Sequence, residues 1–348
     1  MIQILLAGLS TLVLSYFSIG WVRKWTEEQK VLDIPNERSS HLRPTSCGGG
    51  LPIVILTLAA WWLSSLYMGK VSFGSLAFTI GALAVAAVSW LDDLRSLPNH
   101  IRFLVHSLSA IVILWGVGHF SSWAIPFGGT IKLGWLGVPI TFLWIVGLTN
   151  AYNFMDGIDG IAGGQAVVAG AGWAILGWLD GQPQVGMLAL FITTTTAGFL
   201  IHNWPPARVF MGDVGSAFLG FTFAVLPLLM GTHNSQNPLL GVLLVWPFIF
   251  DTIFTFFCRI RKHQNVFAAH RSHLYQRLVV IKNSHRFVTL LYLVLGAIGA
   301  VLGMAWWGKI PGSEILVAVV TPLLCLGLWG FVARMENQER IKSKSGIM

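Results

Sequence analysis

Long apolar runs alternate with short polar segments along the whole chain. A bilayer core requires about 20 apolar residues per helix, and eleven runs approach that length. Several runs contain Gly or Ser, which membrane helices tolerate and use for close packing. The pattern predicts an all-α integral membrane protein with about eleven transmembrane helices in one polytopic domain, residues 1–348. The predicted spans lie near residues 3–22, 48–68, 74–91, 103–119, 135–153, 161–179, 185–202, 214–231, 238–257, 287–307 and 314–333.

Composition excludes a set of soluble domains. Apolar residues make up 55% of the 348 positions, charged residues only 10%, and mean hydropathy is +0.70. An ordinary globular domain has about a quarter of its residues charged. Three widely spaced cysteines argue against a disulfide framework or a zinc site. The first apolar run has no basic residue before it, so we expect a retained helix and not a cleaved signal.

The distribution of Lys and Arg predicts the orientation. With eleven spans and the N-terminus outside, 19 of the 22 basic residues fall in the inner segments and tail. Lys70, Lys132 and Lys309 fall outside. Positive charge favours the cytoplasmic side, which explains the net charge of +8 without a nucleic-acid partner. We therefore expect the N-terminus outside, on the periplasmic side, and the C-terminus in the cytoplasm.

Acidic residues gather on this same predicted cytoplasmic face. Ionisable groups at membrane depth are costly and usually functional. The inner segments that we expect to carry chemistry are 23–47, 92–102, 154–160, 203–213 and 258–286. The aspartates near them are Asp92, Asp93, Asp156, Asp159, Asp213 and Asp251.

Three acidic motifs each allow two interpretations. Adjacent Asp92 and Asp93 form either a metal or general-base site or a polar helix end. Asp156 and Asp159 form either a ligand site or a plain glycine-rich turn between spans. As a ligand site, they would share a helix face if their segment is helical, and the glycines around them would let a ligand approach the backbone. Asp213 opens a predicted helix, where it is either an N-cap or a metal ligand.

Two basic segments complete the picture. The Arg and His residues of 259–286 can neutralise phosphate oxygens, although positive-inside charge explains most of the Lys and Arg. Three glycines at 48–50 either let a phosphate approach a helix start or allow close helix packing. Together with the carboxylates, these segments suggest a metal-bridged polyphosphate at the inner membrane boundary.

In this combination the five segments resemble one family, the polyprenyl-phosphate N-acetylhexosamine-1-phosphate transferases of glycosyltransferase family 4. The resemblance runs from about Asp33 to Arg277, and the predicted topology suits the O-antigen-initiating branch. It implies transfer of a sugar 1-phosphate from a UDP-N-acetyl sugar to undecaprenyl phosphate, with release of UMP. The implied cofactor is Mg²⁺, with Mn²⁺ as an alternative.

The resemblance also implies residue roles. The catalytic set would comprise Asp92 and Asp93, one of them the base for the lipid phosphate, with Asp156 and Asp159 at the nucleotide site. Asp213 would bind the metal. Residues implied to line the uridine pocket or to belong to the first-loop pattern are Asn153, Asn203, Phe210, Arg38 and His41.

One motif departs from the family. Relatives commonly have His-x-His-His in the last large inner loop, whereas this chain has His273, Leu274, Tyr275 and Gln276. Neither Tyr nor Gln carries a proton charge near neutral pH as His can. The resemblance therefore implies a catalytic role for His273 alone in this motif, with diphosphate binding by His273, Arg271 and Arg277.

Other readings stay open. A transporter could use membrane carboxylates as an ion pathway, although such groups usually lie near the bilayer midplane. The sugar is not fixed, because one hydroxyl group is distinguished by a few pocket contacts; UDP-GlcNAc and a UDP-FucNAc-like donor both fit. A homodimer is also compatible with the sequence.

Overall fold

Helices dominate the architecture. The computed structural model describes residues 2–33, 44–265, 271–282 and 284–345, and the side chains as far as residue 341. Two antiparallel strand pairs are the only sheets in this part of the chain: β1 (Leu32–Asp33) with β2 (Thr45–Ser46), and β3 (Ser122–Ile125) with β4 (Gly129–Lys132). The predicted all-α membrane class is confirmed. The helices are α1 (Ile2–Glu28), α2 (Gly50–Tyr67), α3 (Phe73–Arg95), α4 (Asn99–Gly116), α5 (Gly137–Phe154), α6 (Ile161–Leu179), α7 (Pro183–Asn203), α8 (Asp213–Leu229), α9 (Asn237–Leu244), α10 (Trp246–Arg261), α11 (Leu274–Lys282), α12 (His285–Trp307) and α13 (Ser313–Ser345).

Every predicted apolar run coincides with helix in the structure. Among the described residues, eight helices are long and apolar enough to cross a membrane, and the bent pair α9–α10 would make a ninth. Helix α8 is apolar but only 17 residues long. Helix α4 occupies the fourth predicted run. The exact number of spans and the orientation stay predictions.

The span predicted near 238–257 is broken into two helices in the structure. Helices α9 and α10 replace it and meet at an angle of 81° around Val245. Pro247 lies in the first turn of α10. A proline has no backbone N–H, and its ring would clash with the carbonyl of Leu243, four residues earlier, in a continuous helix. The chain therefore ends one helix and begins another in a different direction.

Helix α8 lies at the centre of the bundle. Its residues from Val214 to Leu228 are all buried, and a helix that is apolar on all sides belongs in the interior. By contrast, only 22% and 17% of the residues in the most apolar stretches of α1 and α13 are buried. The apolar side chains that these outer helices expose are those expected of a lipid-facing surface.

The three glycines at 48–50 serve packing. A Cβ atom at Gly50 would lie only 2.4 Å from the Cα atom of Gly215, so α2 and α8 touch backbone to backbone. The Gly49 and Gly50 N–H groups donate to the carbonyls of Phe210 and Met211 at 2.9 and 2.8 Å. These two amides are thus committed to protein partners, which favours the packing interpretation over a phosphate turn.

Candidate functional site

A polar cavity of about 950 Å³ opens at one end of the helix bundle. Residues from all five predicted inner segments line it, so the chain brings distant loops together. We call it the aspartate cavity. Its described lining is Gln29 to Asp33, Cys47, Asp92, Asp93, Leu94, Ser96, Leu97, Asn99, Arg102, Asn153, Asp156 to Asp159, Asn203, Phe210 to Asp213, Gln276 and His285.

Asp93 joins α3 to the first turn of α8. Its two carboxylate oxygens accept hydrogen bonds from the backbone N–H groups of Asp213 and Val214, at 2.8 and 3.1 Å. The first N–H groups of a helix have no partner within the helix, and a carboxylate there is favoured by the helix dipole. Asp93 therefore fixes where α8 begins, which places Asp213 at the cavity wall.

Arg102 bridges two of the aspartates. Its guanidinium group lies 2.6 Å from an oxygen of Asp92 and 2.9 Å from an oxygen of Asp213. A second guanidinium nitrogen donates to the Asn99 side chain at 2.6 Å. Asp92, Asn99 and Asp213 all line the aspartate cavity, which is rich in carboxylates. Arg102 thus partly neutralises the repulsion between Asp92 and Asp213.

Asn153, at the end of α5, holds the other side of Asp213. Its amide group donates to an Asp213 oxygen at 2.9 Å and to the Ser216 hydroxyl at 2.9 Å. Asp213 does open a helix, as the sequence suggested, but it does not cap that helix itself. Asp93 does so, which leaves the Asp213 side chain directed at Arg102 and Asn153.

Residues 155–160 form a turn between α5 and α6, which we call the aspartate turn. Asp156 and Asp159 therefore do not share a helix face, because the segment is not helical. No described residue donates a hydrogen bond to the Asp156 carboxylate. Burial, and then the negative charges of Asp213, Asp93 and Asp159, raise the pKa of Asp156 well above its usual value.

Two contacts tie the aspartate turn to the loop after α7. An Asp159 oxygen accepts from the backbone N–H of Ala207 at 3.0 Å, and the other lies 3.3 Å from the His285 ring. The Asn203 amide accepts from the N–H of Gly160 at 2.8 Å and donates to the carbonyl of Val209 at 2.9 Å. Asn203 therefore shapes the loop as well as lining the cavity.

Phe210 and Cys47 lie on the wall formed by the first loop. The Phe210 N–H donates to the carbonyl of Ser46 at 2.8 Å, which joins the two loops. Burial, and then the negative charges of Asp93, Asp213 and Asp33, raise the pKa of the Cys47 thiol well above its usual value. Because the thiol stays protonated, Cys47 is unsuited to be a nucleophile.

The basic residues predicted to bind diphosphate lie elsewhere. Arg271, His273 and Arg277 are absent from the described lining of the aspartate cavity. His273 is 4% exposed and lies 3.2 Å from buried Asp251. Arg277 makes two hydrogen bonds to Glu336, at 2.7 and 2.6 Å, and this contact raises the pKa of its guanidinium group.

Arg38 and His41 lie outside the described residues, as does His270. The segments 34–43 and 266–270 that contain them adjoin described residues of the first and last large inner loops. The roles that the resemblance implies for Arg38 and His41 thus stay predictions.

Sequence reasoning missed Arg102, Gln276 and His285, which all line the cavity. Arg102 had a signal: it follows the Asp pair in the same short inner segment. Gln276 stands in the motif that departs from the family. In the sequence it therefore indicated the loss of a histidine and not a residue that lines the cavity. His285 precedes the tenth predicted span and carried no signal that separates it from a polar helix start.

The aspartates of the cavity fit a divalent cation in part. Within the described residues, no three or more His, Cys, Asp or Glu side chains converge closely enough to hold a metal ion. However, Mg²⁺ usually keeps several waters and binds through one or two carboxylates plus substrate phosphates. Asp156, without a hydrogen-bond donor among the described residues, and Asp213, whose charge acts on it, would supply that donor set.

This arrangement is compatible with a site for a phosphorylated ligand at the end of a membrane bundle. It combines several carboxylates, one bridging guanidinium group and a polar cavity at the end of an apolar bundle. A transporter would more typically place such groups across the bilayer midplane. The geometry therefore favours an enzyme that works at the membrane boundary.

Comparison with known proteins agrees. The glycosyl transferase family 4 profile matches residues 75–231, the stretch from α3 to the end of α8. A probable undecaprenyl-phosphate N-acetylglucosaminyl 1-phosphate transferase of Bacillus subtilis is 32% identical over 86% of this chain and 83% of its own length. The decaprenyl-phosphate N-acetylglucosaminephosphotransferase of Mycobacterium leprae is 30% identical over 91% of this chain and 88% of its own.

A phospho-N-acetylmuramoyl-pentapeptide-transferase of Leuconostoc citreum is also similar, with 30% identity over 66% of this chain and 75% of its own length. These relatives transfer a sugar 1-phosphate to a polyprenyl phosphate. The chain belongs to glycosyl transferase family 4, in the group of polyprenyl-phosphate N-acetylhexosamine-1-phosphate transferases. The resemblance deduced from the sequence motifs is confirmed.

Proposed function

We propose that this protein transfers N-acetylhexosamine 1-phosphate from a UDP-N-acetyl sugar to undecaprenyl phosphate, releasing UMP. The observation that carries the proposal is the convergence of six aspartates and Arg102 in one cavity at the end of the helix bundle. A diphosphate donor and a phosphate acceptor repel each other, so the site must hold both in line and balance their charge. The acceptor's prenyl chain can stay in the bilayer while its phosphate enters the cavity.

UDP-N-acetylglucosamine is the first donor to test. Two relatives that cover most of the chain are named for N-acetylglucosamine. The product would initiate a surface glycan, O-antigen or a related polymer, at the cytoplasmic face of the bacterial inner membrane. A UDP-FucNAc-like donor is the alternative.

Within this proposal the residues take distinct tasks. Asp156 and Asp213 would hold Mg²⁺, and the ion would neutralise negative charge on the phosphates when bound. Asp159 and Asn203, tied to the loop after α7, would shape the nucleotide pocket. Asp92 is oriented by Arg102 and the N–H of Leu97, so it is the better placed of the pair to face the acceptor. Asp93 would position Asp213.

Label transfer tests the proposal. Purified protein with undecaprenyl phosphate, Mg²⁺ and sugar-labelled UDP-N-acetylglucosamine should produce an organic-extractable labelled lipid and an equal amount of UMP. Sugar-labelled UDP-FucNAc in a parallel reaction distinguishes the two donors. If neither donor labels the lipid, and the protein moves an ion across the membrane of proteoliposomes, the transporter hypothesis replaces the transferase hypothesis.

A further inference from the structure

Asp251 is a fully buried carboxylate that the proposed chemistry does not use. It lies in α10, is 0% exposed and does not line the aspartate cavity. A buried charge is costly unless it is paired and hydrogen-bonded. Its two oxygens have five partners, which are the side chains of Thr255, His273 and Tyr292 and the backbone N–H groups of Leu274 and Tyr275.

Three of these partners belong to the start of α11. The N–H groups of Leu274 and Tyr275 lie 2.8 and 3.0 Å from the Asp251 oxygens. Helix α11 begins at Leu274, so these are N–H groups of its first turn, which have no partner within the helix. Asp251 therefore caps α11 from another helix. Without it, both amides and the His273 ring would face a buried site without a charged acceptor.

The first turn of α11 in turn touches the aspartate turn. The Tyr275 hydroxyl donates to the carbonyl of Phe154 at 3.0 Å. A Cβ atom at Gly157 would lie 2.1 Å from that hydroxyl oxygen, so only glycine leaves room for it. Gly157 directly follows Asp156. The next residue on α11, Gln276, lines the cavity itself.

We propose that Asp251 and Tyr275 are positioning residues that set the place of the aspartate turn. Asp251 holds the first turn of α11, and Tyr275 holds the backbone on both sides of Asp156. The bent helix pair is thereby connected to the nucleotide side of the cavity. This inference rests on the proposed function for its kinetic consequences but not for the contact itself.

A double-mutant cycle tests the contact without any assay of activity. Gly157→Ala should lower the melting temperature in detergent, since the new methyl group overlaps the Tyr275 hydroxyl. Tyr275→Phe removes that oxygen and should restore part of the loss when the two changes are combined. Tyr292→Phe is the matched control: it too removes one buried tyrosine hydroxyl, the one that donates to Asp251, but no contact with Gly157, so it should restore nothing. Independent, additive effects of Gly157→Ala and Tyr275→Phe would overturn the contact.

Kinetics test the positioning role. Tyr275→Phe alone should raise the KM for the UDP-sugar about three- to tenfold, the factor expected for one lost neutral hydrogen bond, with the KM for undecaprenyl phosphate unchanged. Asp251→Asn should raise the same KM further. If Asp251→Asn does not fold, Tyr275→Phe decides. Equal changes in both KM values, or none, would overturn the role, whereas inactive wild-type protein would instead refute the proposed function.

Discussion

Asp213 has contacts with three of the elements that build the aspartate cavity. Its oxygens accept from Arg102 of α4 and Asn153 of α5, and its backbone N–H donates to Asp93 of α3. An asparagine at this position would keep the shape but lose the charge. It would leave Arg102 with one anionic partner fewer and a cation with one ligand fewer.

We therefore expect Asp213→Asn to reduce turnover about 100-fold or more, the range for loss of a preorganised electrostatic contact. Membrane insertion and the gel-filtration profile should stay normal. Asp180→Asn is the control, because Asp180 lies outside the described cavity lining and should retain activity. Turnover is measured as UMP release. Full turnover in excess EDTA would contradict the metal role.

Arg102 provides a second prediction at this scale. Arg102→Leu leaves the partly buried Asp92 and Asp213 without their shared cation, so the repulsion between the two carboxylates is no longer balanced. We expect at least a tenfold loss of turnover for Arg102→Leu. The loss should be smaller for Arg102→Lys, which keeps the positive charge but not the planar guanidinium group that reaches two partners. The exposed neighbour Arg95→Gln should behave like wild type. An Arg102→Leu enzyme with normal turnover would contradict the bridge.

Residue types were predictable from the sequence, but their pairings were not. The six cavity aspartates stand in recognisable polar segments between apolar runs. Arg102 and Asp213 are 111 residues apart, and nothing in either segment indicates that they meet. In the same way, the resemblance implied that Arg277 binds phosphate. Its ion pair with Glu336 of the last helix could not be predicted, because the two residues are far apart in the sequence.

At the scale of elements, the contact between α2 and α8 depends on the absence of side chains. Gly50 and Gly215 approach so closely that a methyl group on either would overlap the other's backbone. This contact sets the position of the α8 start, and with it Asp213.

Gly50→Ala should therefore destabilise the protein by about 1–3 kcal/mol, the usual cost of overpacking a close contact. Gly147→Ala in α5 is the control, because a methyl group there meets nothing within 4 Å. Melting temperatures in the same detergent compare the two. If the melting temperature of Gly50→Ala equals those of Gly147→Ala and wild type, α2 and α8 can move apart without loss of stability.

Element existence was predicted better than element shape. Twenty-residue apolar runs identify helices because the bilayer requires that length. The break between α9 and α10 escaped, since a proline in an apolar run is common in membrane helices and does not reveal the direction of the bend. The segment 154–160 was predicted between two spans, but its conformation was left open, because a spacing of three residues between aspartates fits a helix and a turn equally.

At the scale of the whole molecule, the charge distribution predicts which end of the bundle faces the cytoplasm. The aspartate cavity and Lys262 lie toward one end in the predicted topology, and Lys132 and Lys309 at the other. The structure joins the predicted outer segments: the N–H of Ala124 donates to the carbonyl of Ser235 at 2.7 Å. Loops predicted to share a side thus do meet.

We expect single cysteines at Lys132 and Lys309 to react with an impermeant thiol reagent added to spheroplasts. A cysteine at Lys262 should react only after the membrane is opened. The background lacks Cys47, Cys258 and Cys325, which are the native thiols. Labelling of Lys262→Cys from outside sealed cells would invert the topology and place the cavity on the wrong side for a nucleotide donor.

Helix α13 is longer than a membrane is thick. Its 33 residues extend about 50 Å, so roughly 20 Å of the helix would lie beyond a hydrocarbon core of about 30 Å. The Arg277–Glu336 ion pair fastens it to α11. For electron cryo-microscopy, a protein of 38.1 kDa that is mostly hidden in detergent offers little to align. A rigid helical partner fused in register to this projecting rod would supply the missing fiducial mark.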